Sequence, residues 1–153
     1  MNTRSAACAC GAVSLIAAGE PLSVSMCHCL ACQRRTGSTY SVHAYFPKER
    51  VSLHGTPKRY ARAGDTGAMV DFHFCPDCGS TTHWEVEAMP GRIGIPVGIF
   101  ADPGFPPPSV AIFVPHRHPW VVIPEGVPQN EGHSAGFKAA AEAAVAKRRG
   151  GAA

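Results

Sequence analysis

The sequence predicts an all-β domain of antiparallel sheets held together by bound metal, on three observations. Apolar and polar residues alternate with period two in a series of short runs, which sets successive side chains on opposite faces of a strand. Sixteen glycines and fourteen prolines, above average usages of about 7% and 5%, punctuate those runs with turns and argue against long helices. Seven cysteines fall into three tight clusters: Cys8 with Cys10, then Cys27 with Cys29 and Cys32, then Cys75 with Cys78. At 153 residues the chain has the size of one domain. Its 45% hydrophobic and 16% charged residues are those of a globular protein with a real core.

The predicted strands follow in order. In "GAVSLIAAG" (11–19), Val13 and Leu15 share a face. In "TYSVHAYFP" (39–47), Tyr40, Val42, Ala44 and Phe46 alternate with Ser41, His43 and Tyr45. Val70, Phe72 and Phe74 oppose Asp71 and His73, and after a turn Thr82, Trp84 and Val86 oppose His83, Glu85 and Glu87. "RIGIPVGIF" (92–100) and "SVAIFVPHRHPWVVIP" (109–124) are two further β-rich runs, separated by the rigid Pro-rich loop "ADPGFPPPS" (101–109). The expected domain spans residues 1–123. Residues 124–153 form a polar linker and an Ala-rich helix over "FKAAAEAAVAKRR", whose narrow apolar stripe predicts loose or frayed packing outside the core.

A net charge of +3 does not argue for a nucleic-acid partner, and no apolar run is long enough to span a membrane. The start "MNTRSAACACGAVSLIAAGE" has some features of a secretion signal, but cleavage would discard Cys8 and Cys10. Read as mature protein, seven closely spaced thiols point to a reducing, cytoplasmic home and to metal ligation rather than disulfides.

"CPDCG" (75–79) is the most specific of the clusters. Two thiols two residues apart can meet one ion in a tight knuckle, and Gly79 tolerates a left-handed exit. The knuckle supplies two ligands, and Cys8 and Cys10 complete a tetrahedral set for which Zn²⁺ is the default ion. On an extended segment these two side chains face the same way. Two unrelated thiol pairs, or an iron centre in the same thiolates, are the alternatives.

Cys27, Cys29 and Cys32 can bind a second ion locally and leave its fourth position free, the pattern of a catalytic zinc. A thiol-bearing substrate could fill that position and be held as its reactive thiolate. Arg34 and Arg35 follow at once, and a guanidinium suits a substrate carboxylate, although surface cations are the plain alternative. His28, between two of these cysteines, points away from them on an extended strand, and closes the site if it does not. His83 is expected on a strand surface, with a proton shuttle near the second site as the alternative, His116 and His118 at a mouth or in solvent, and Trp84 and Trp120 in core or hairpin packing.

"CACGAV", "CHCLACQRRTG", "FCPDCGS" and the late "HPW" together resemble the glutathione-dependent formaldehyde-activating family, also called the CENP-V/GFA domain, over roughly residues 4 to 123. The resemblance implies an Mss4-like β-tent fold. It implies a structural zinc on Cys8, Cys10, Cys75 and Cys78 and a second zinc on Cys27, Cys29 and Cys32. It also implies a carbon–sulfur lyase of the type that joins glutathione and formaldehyde into S-(hydroxymethyl)glutathione. The alternatives are a non-catalytic zinc module that binds glutathione or a protein partner, and a redox or metal sensor.

Overall fold

The computed structural model describes residues 2–151 and shows ten strands in two sheets with two helices. The smaller sheet has the order β1 (Thr3–Ala7), β2 (Ser14–Ala18), β5 (Val51–His54). The larger has seven strands in the order β10 (Val110–Ile112), β3 (Ser23–Cys27), β4 (Ser41–Pro47), β9 (Arg92–Pro96), β8 (Thr81–Val86), β7 (Met69–Phe74), β6 (Lys58–Ala63). Every named strand pair is antiparallel except β10 with β3. The predicted mostly-β architecture with a C-terminal helix is therefore the one observed.

The main core lies where the small sheet covers one face of the large one. Ala6, Leu15 and Ala17 meet Val24, Ala44, Phe46, Ile93 and Ile95, and Phe100 and Phe105 close one side. Burying a side chain of the size of Leu15, Phe46 or Ile95 contributes about 1.5–3 kcal/mol. Period-two geometry sends the intervening residues to the other face. There Ser23, Ser25 and Cys27 of β3 stand beside His43 and Tyr45 of β4, and Phe72 of β7 beside Trp84 of β8.

Gly94 of β9 pairs with both Tyr45 and Trp84, and the indole lies across it. A Cβ at this position would stand 2.5 Å from Trp84 Nε1, so only glycine leaves room for the ring.

Several expectations are corrected. The run 109–124 contains only the three-residue β10; Phe113 turns left-handed (φ 57°) and a 3₁₀ turn follows over Val114–His116. Cys8 and Cys10 sit in a turn rather than on an extended segment, with Gly11 N–H donating to the Cys8 carbonyl at 3.0 Å. A short helix α1 (Leu30–Thr36) appears where none was expected, because the Cys29 sulfur acts as its N-cap, accepting from the Cys32 N–H at 3.3 Å. Gly37, left-handed at φ 68°, closes the other end.

The C-terminal helix α2 (Ala135–Gly150) is peripheral but not frayed. Ser134 caps it by accepting from Phe137 N–H at 3.2 Å, and fully buried Ala141 joins Ala68, Phe72, Trp84 and Val86 in a second apolar cluster. Arg148 fastens its last turn to Glu87 at 2.9 Å and to the Gly67 carbonyl at 2.8 Å. The preceding linker is pinned as well: Ala111 N–H donates to Pro128 O and Asn130 N–H to Ala111 O, both at 2.9 Å.

Candidate metal centres and the adjoining pocket

The structure brings Cys8, Cys10, Cys75 and Cys78 together, with all four sulfurs within 4.8 Å of one another. The Cys8–Cys10 and Cys10–Cys75 sulfur pairs are each 3.6 Å apart. A tetrahedral zinc with bonds of about 2.3 Å would set its sulfurs about 3.8 Å apart, so the four thiols fit such an ion. Two turns aim them. Gly79, left-handed at φ 73°, donates to the Cys75 carbonyl at 3.0 Å, while Cys8 Sγ accepts from Val13 N–H at 3.2 Å.

Ser80 links the two turns, accepting from Ala9 N–H at 3.1 Å and lying 3.3 Å from Cys78 Sγ. Its hydroxyl, then its backbone N–H, draw the Cys78 thiol down to about 5. The Val13 N–H likewise lowers Cys8. Against the Ala12 N–H, which favours its thiolate, crowding by Cys8, Cys75 and Cys78 drives Cys10 up to about 12. Four thiols this close cannot all ionise unless a cation sits among them, which is the chemistry of a metal site.

The second cluster is local. Cys27 ends β3, Cys29 caps α1 and Cys32 lies in its first turn, with their sulfurs within 4.8 Å of one another. Hydrogen bonds from the Cys27 and Cys32 thiols lower Cys29, whereas Cys29, Cys32 and burial push Cys27 far up. One thiolate is therefore favoured and the others resist ionising, again until a cation is bound. No further Cys, His, Asp or Glu joins this trio among the described residues.

His28 turns away from the cysteines, as expected. It is fully buried beside Tyr40, with both ring nitrogens lacking a hydrogen-bond partner, and burial followed by the charge of Arg117 holds it below the ordinary imidazole range.

The trio opens onto a cavity of about 440 Å³, within the range of ligand sites. Cys27, Cys29, Cys32 and Arg35 line it; Cys8, Cys10, Cys75 and Cys78 do not. The two arginines separate here. Arg34 is exposed and away from the cavity, whereas Arg35 lies 4.7 Å from the Trp84 ring and 5.2 Å from that of Phe72. Arg35 Nη2 donates to Ser41 Oγ at 2.9 Å, and its Nε is buried without a partner.

Other side chains reach the cavity that the sequence did not single out: His43, Tyr45, Arg62, His133 and Phe137. Burial, then the nearby Arg35 charge, hold His43 at about 3, so it is a neutral imidazole at neutral pH. Burial also pushes the Tyr45 hydroxyl up to about 12, and it accepts from Trp84 Nε1–H at 3.2 Å. The alternation in "SVHAYF" carried the signal, for its polar face is the cavity side of β4.

The remaining histidines and tryptophans divide. His83 is neither on the surface nor at the cavity: it is buried and stacked on His73 at 4.3 Å. His116 lines the cavity mouth, while His118 pairs with Gln33 Oε1 at 3.0 Å. Trp84 is a buried cavity wall, but Trp120, expected in packing, is 70% exposed.

Comparison with known proteins places the chain in a family. A solved protein of Rhodobacter sphaeroides has a similar structure, with a TM-score of 0.52 and 25% identity, covering 67% of this chain and 91% of its own. Residues 3–116 match the family described as "Glutathione-dependent formaldehyde-activating enzyme", about three quarters of the chain. That stretch contains all seven cysteines. The chain therefore belongs to the glutathione-dependent formaldehyde-activating enzyme family.

Proposed function

We propose that the protein is a zinc-dependent carbon–sulfur lyase acting on a small thiol or thiol adduct, similar to an S-(hydroxymethyl)glutathione synthase. The observation that carries this reading is the division of the cysteines: four lie away from the cavity and three open into it. Cys8, Cys10, Cys75 and Cys78 are assigned to a structural zinc, and Cys27, Cys29 and Cys32 to a second, catalytic one. The family description supports glutathione as the thiol and formaldehyde as the carbonyl partner.

A zinc ion on the trio would supply the charge that keeps an incoming sulfur as thiolate at neutral pH. Arg35, which lines the cavity and has a buried Nε without a partner, is assigned to the substrate carboxylate, and exposed Arg34 is not. In the synthetic direction the sulfur lone pair forms the new S–C bond to the carbonyl carbon. The C=O π pair moves to oxygen, which takes up the proton the thiol released. His116 and His133 line the same cavity and are the side chains placed to relay that proton, whereas buried His43, held at about 3, is too weak a base for it. Phe72 and Trp84 exclude water beside Arg35.

The reducing compartment such thiols require favours a cytoplasmic location. No helix among the described residues is long and apolar enough to cross a membrane.

The test is Cys29→Ser on protein loaded with zinc. The expected result is one zinc per chain instead of two, with adduct formation from glutathione and formaldehyde reduced by about a hundredfold or more. Unchanged turnover with the trio disabled would remove the lyase reading. Binding of glutathione by the unaltered protein without any accelerated adduct formation would instead favour a non-catalytic binding module.

A further inference from the structure

One side of the cavity is built from chain that lies beyond the family match. Asn130, His133, Ser134 and Phe137 all line it, whereas the matched segment ends at residue 116. These residues are organised as a unit. The His133 ring stacks on Phe137 at 4.0 Å and meets Phe113 edge-on at 5.0 Å, and its Nε2 lies 3.3 Å from an Asp65 carboxylate oxygen. Phe137 is positioned by the Ser134 cap. Phe113 is held at φ 57°, a conformation that costs energy for a bulky residue and that tends to persist where a site needs it.

Leu30, Phe72, Trp84, Val110 and Ile112 add apolar side chains around the trio, beside polar ones such as Ser23, Ser25 and Asp65. A one-carbon carbonyl partner would leave most of that apolar area unmatched. Glutathione brings two carboxylates and an ammonium. The two arginines of the lining have their guanidinium carbons 5.2 and 5.4 Å from the Phe72 ring centroid, and each gives one donor within the protein, to Ser41 and to the Ala63 carbonyl, leaving fewer charged partners than glutathione's three charged groups would use.

We propose that the cavity selects a thiol adduct with an aromatic or branched aliphatic body, and that Phe137, with Phe113 and His133, is a specificity-determining residue. The proposal rests on the reading of the trio as the thiol-binding centre, and it goes beyond that reading in naming the substrate body. The sulfur sits at Cys27, Cys29 and Cys32, one carboxylate meets Arg35, and the apolar body lies against the aromatic residues contributed by the C-terminal segment.

Calorimetric titration of the zinc-loaded protein tests this without requiring turnover. The probes are 3-mercaptopropionate, 3-mercapto-3-phenylpropionate and glutathione, the first two matched in thiol and carboxylate. The phenyl compound is expected to bind about tenfold or more tightly than either of the others. Phe137→Ala should cut that preference to about threefold or less and leave 3-mercaptopropionate unchanged, while Phe137→Leu, which keeps the helix seated, retains part of it.

Equal binding of the matched pair, tighter binding of glutathione, no binding of any probe, or a preference untouched by both variants overturns the proposal. Selective binding of the phenyl compound with no accelerated adduct formation from any aldehyde sinks the lyase reading alone. Rapid turnover of glutathione and formaldehyde without a phenyl preference sinks the specificity proposal alone.

Discussion

Arg34 and Arg35 are neighbours in sequence, but on a helix successive side chains point about 100° apart, and only Arg35 reaches the cavity. Its guanidinium rests near Phe72 and Trp84, where a carboxylate bond would be shielded from water. Arg35→Met is expected to raise KM for a carboxylate-bearing thiol by roughly 10- to 100-fold, the range of a charged hydrogen bond. Arg34→Ala should leave it unchanged. Steady-state kinetics on the two variants checks the assignment, and equal effects would refute it. The grouping of the seven cysteines into a set of four and a set of three, each able to hold a metal ion, was legible because such an ion requires several thiols at restricted spacings. The difference between the arginines was not, because it depends on a helix whose N-cap is a thiol, outside the usual set of Ser, Thr, Asp and Asn.

Strand β4 separates two environments. Ala44 and Phe46 face the main core, and His43 and Tyr45 face the cavity. Alternation in the sequence located the strand, but period two does not say which covering layer meets each face. The small sheet supplies one layer; on the other side α1 meets β4 while α2 packs on β7 and β8, and α2 was underestimated because its apolar stripe is narrow. At the neighbouring strand, Gly94→Ala would place a Cβ 2.5 Å from Trp84 Nε1 and displace the indole from its bond to Tyr45. The expected loss is about 1–3 kcal/mol of stability, with altered Trp fluorescence. A variant with wild-type Tm and emission would contradict the packing described for β8 and β9.

Across the whole molecule, Cys8 and Cys10 at the end of the small sheet's first strand meet Cys75 and Cys78 in the turn after β7 of the large sheet, so a metal held by the four would tie the two sheets together. Removing metal with a chelator should therefore release β1 and β2 first, seen as faster amide exchange over residues 3–18 than over β4 and β9. Uniform exchange would count against the clamp. Acid has a separate effect. Burial holds His43 at about 3 and, with His73, His83 at about 4, against an ordinary 6.5. Between those values the unfolded chain binds more protons than the folded one, so stability falls as pH drops from about 6.5 towards 4. His83→Gln should flatten that decline by roughly 1 kcal/mol in denaturant titrations, and an unchanged slope would remove His83 as a contributor.

The spacing of the cysteines also has a temporal consequence. A chain emerging from the ribosome presents Cys27, Cys29 and Cys32 together within six residues, whereas the other set is complete only when Cys78 follows Cys8. The trio can therefore capture its ion early in synthesis, and the four-thiol set closes later, after β7 has formed. In translation halted once Cys32 has cleared the exit tunnel but before Cys78 has been added, one equivalent of metal is expected on the nascent chain. The second should arrive only after Cys78 has cleared the exit tunnel, making its arrival a marker for the moment the two sheets are joined.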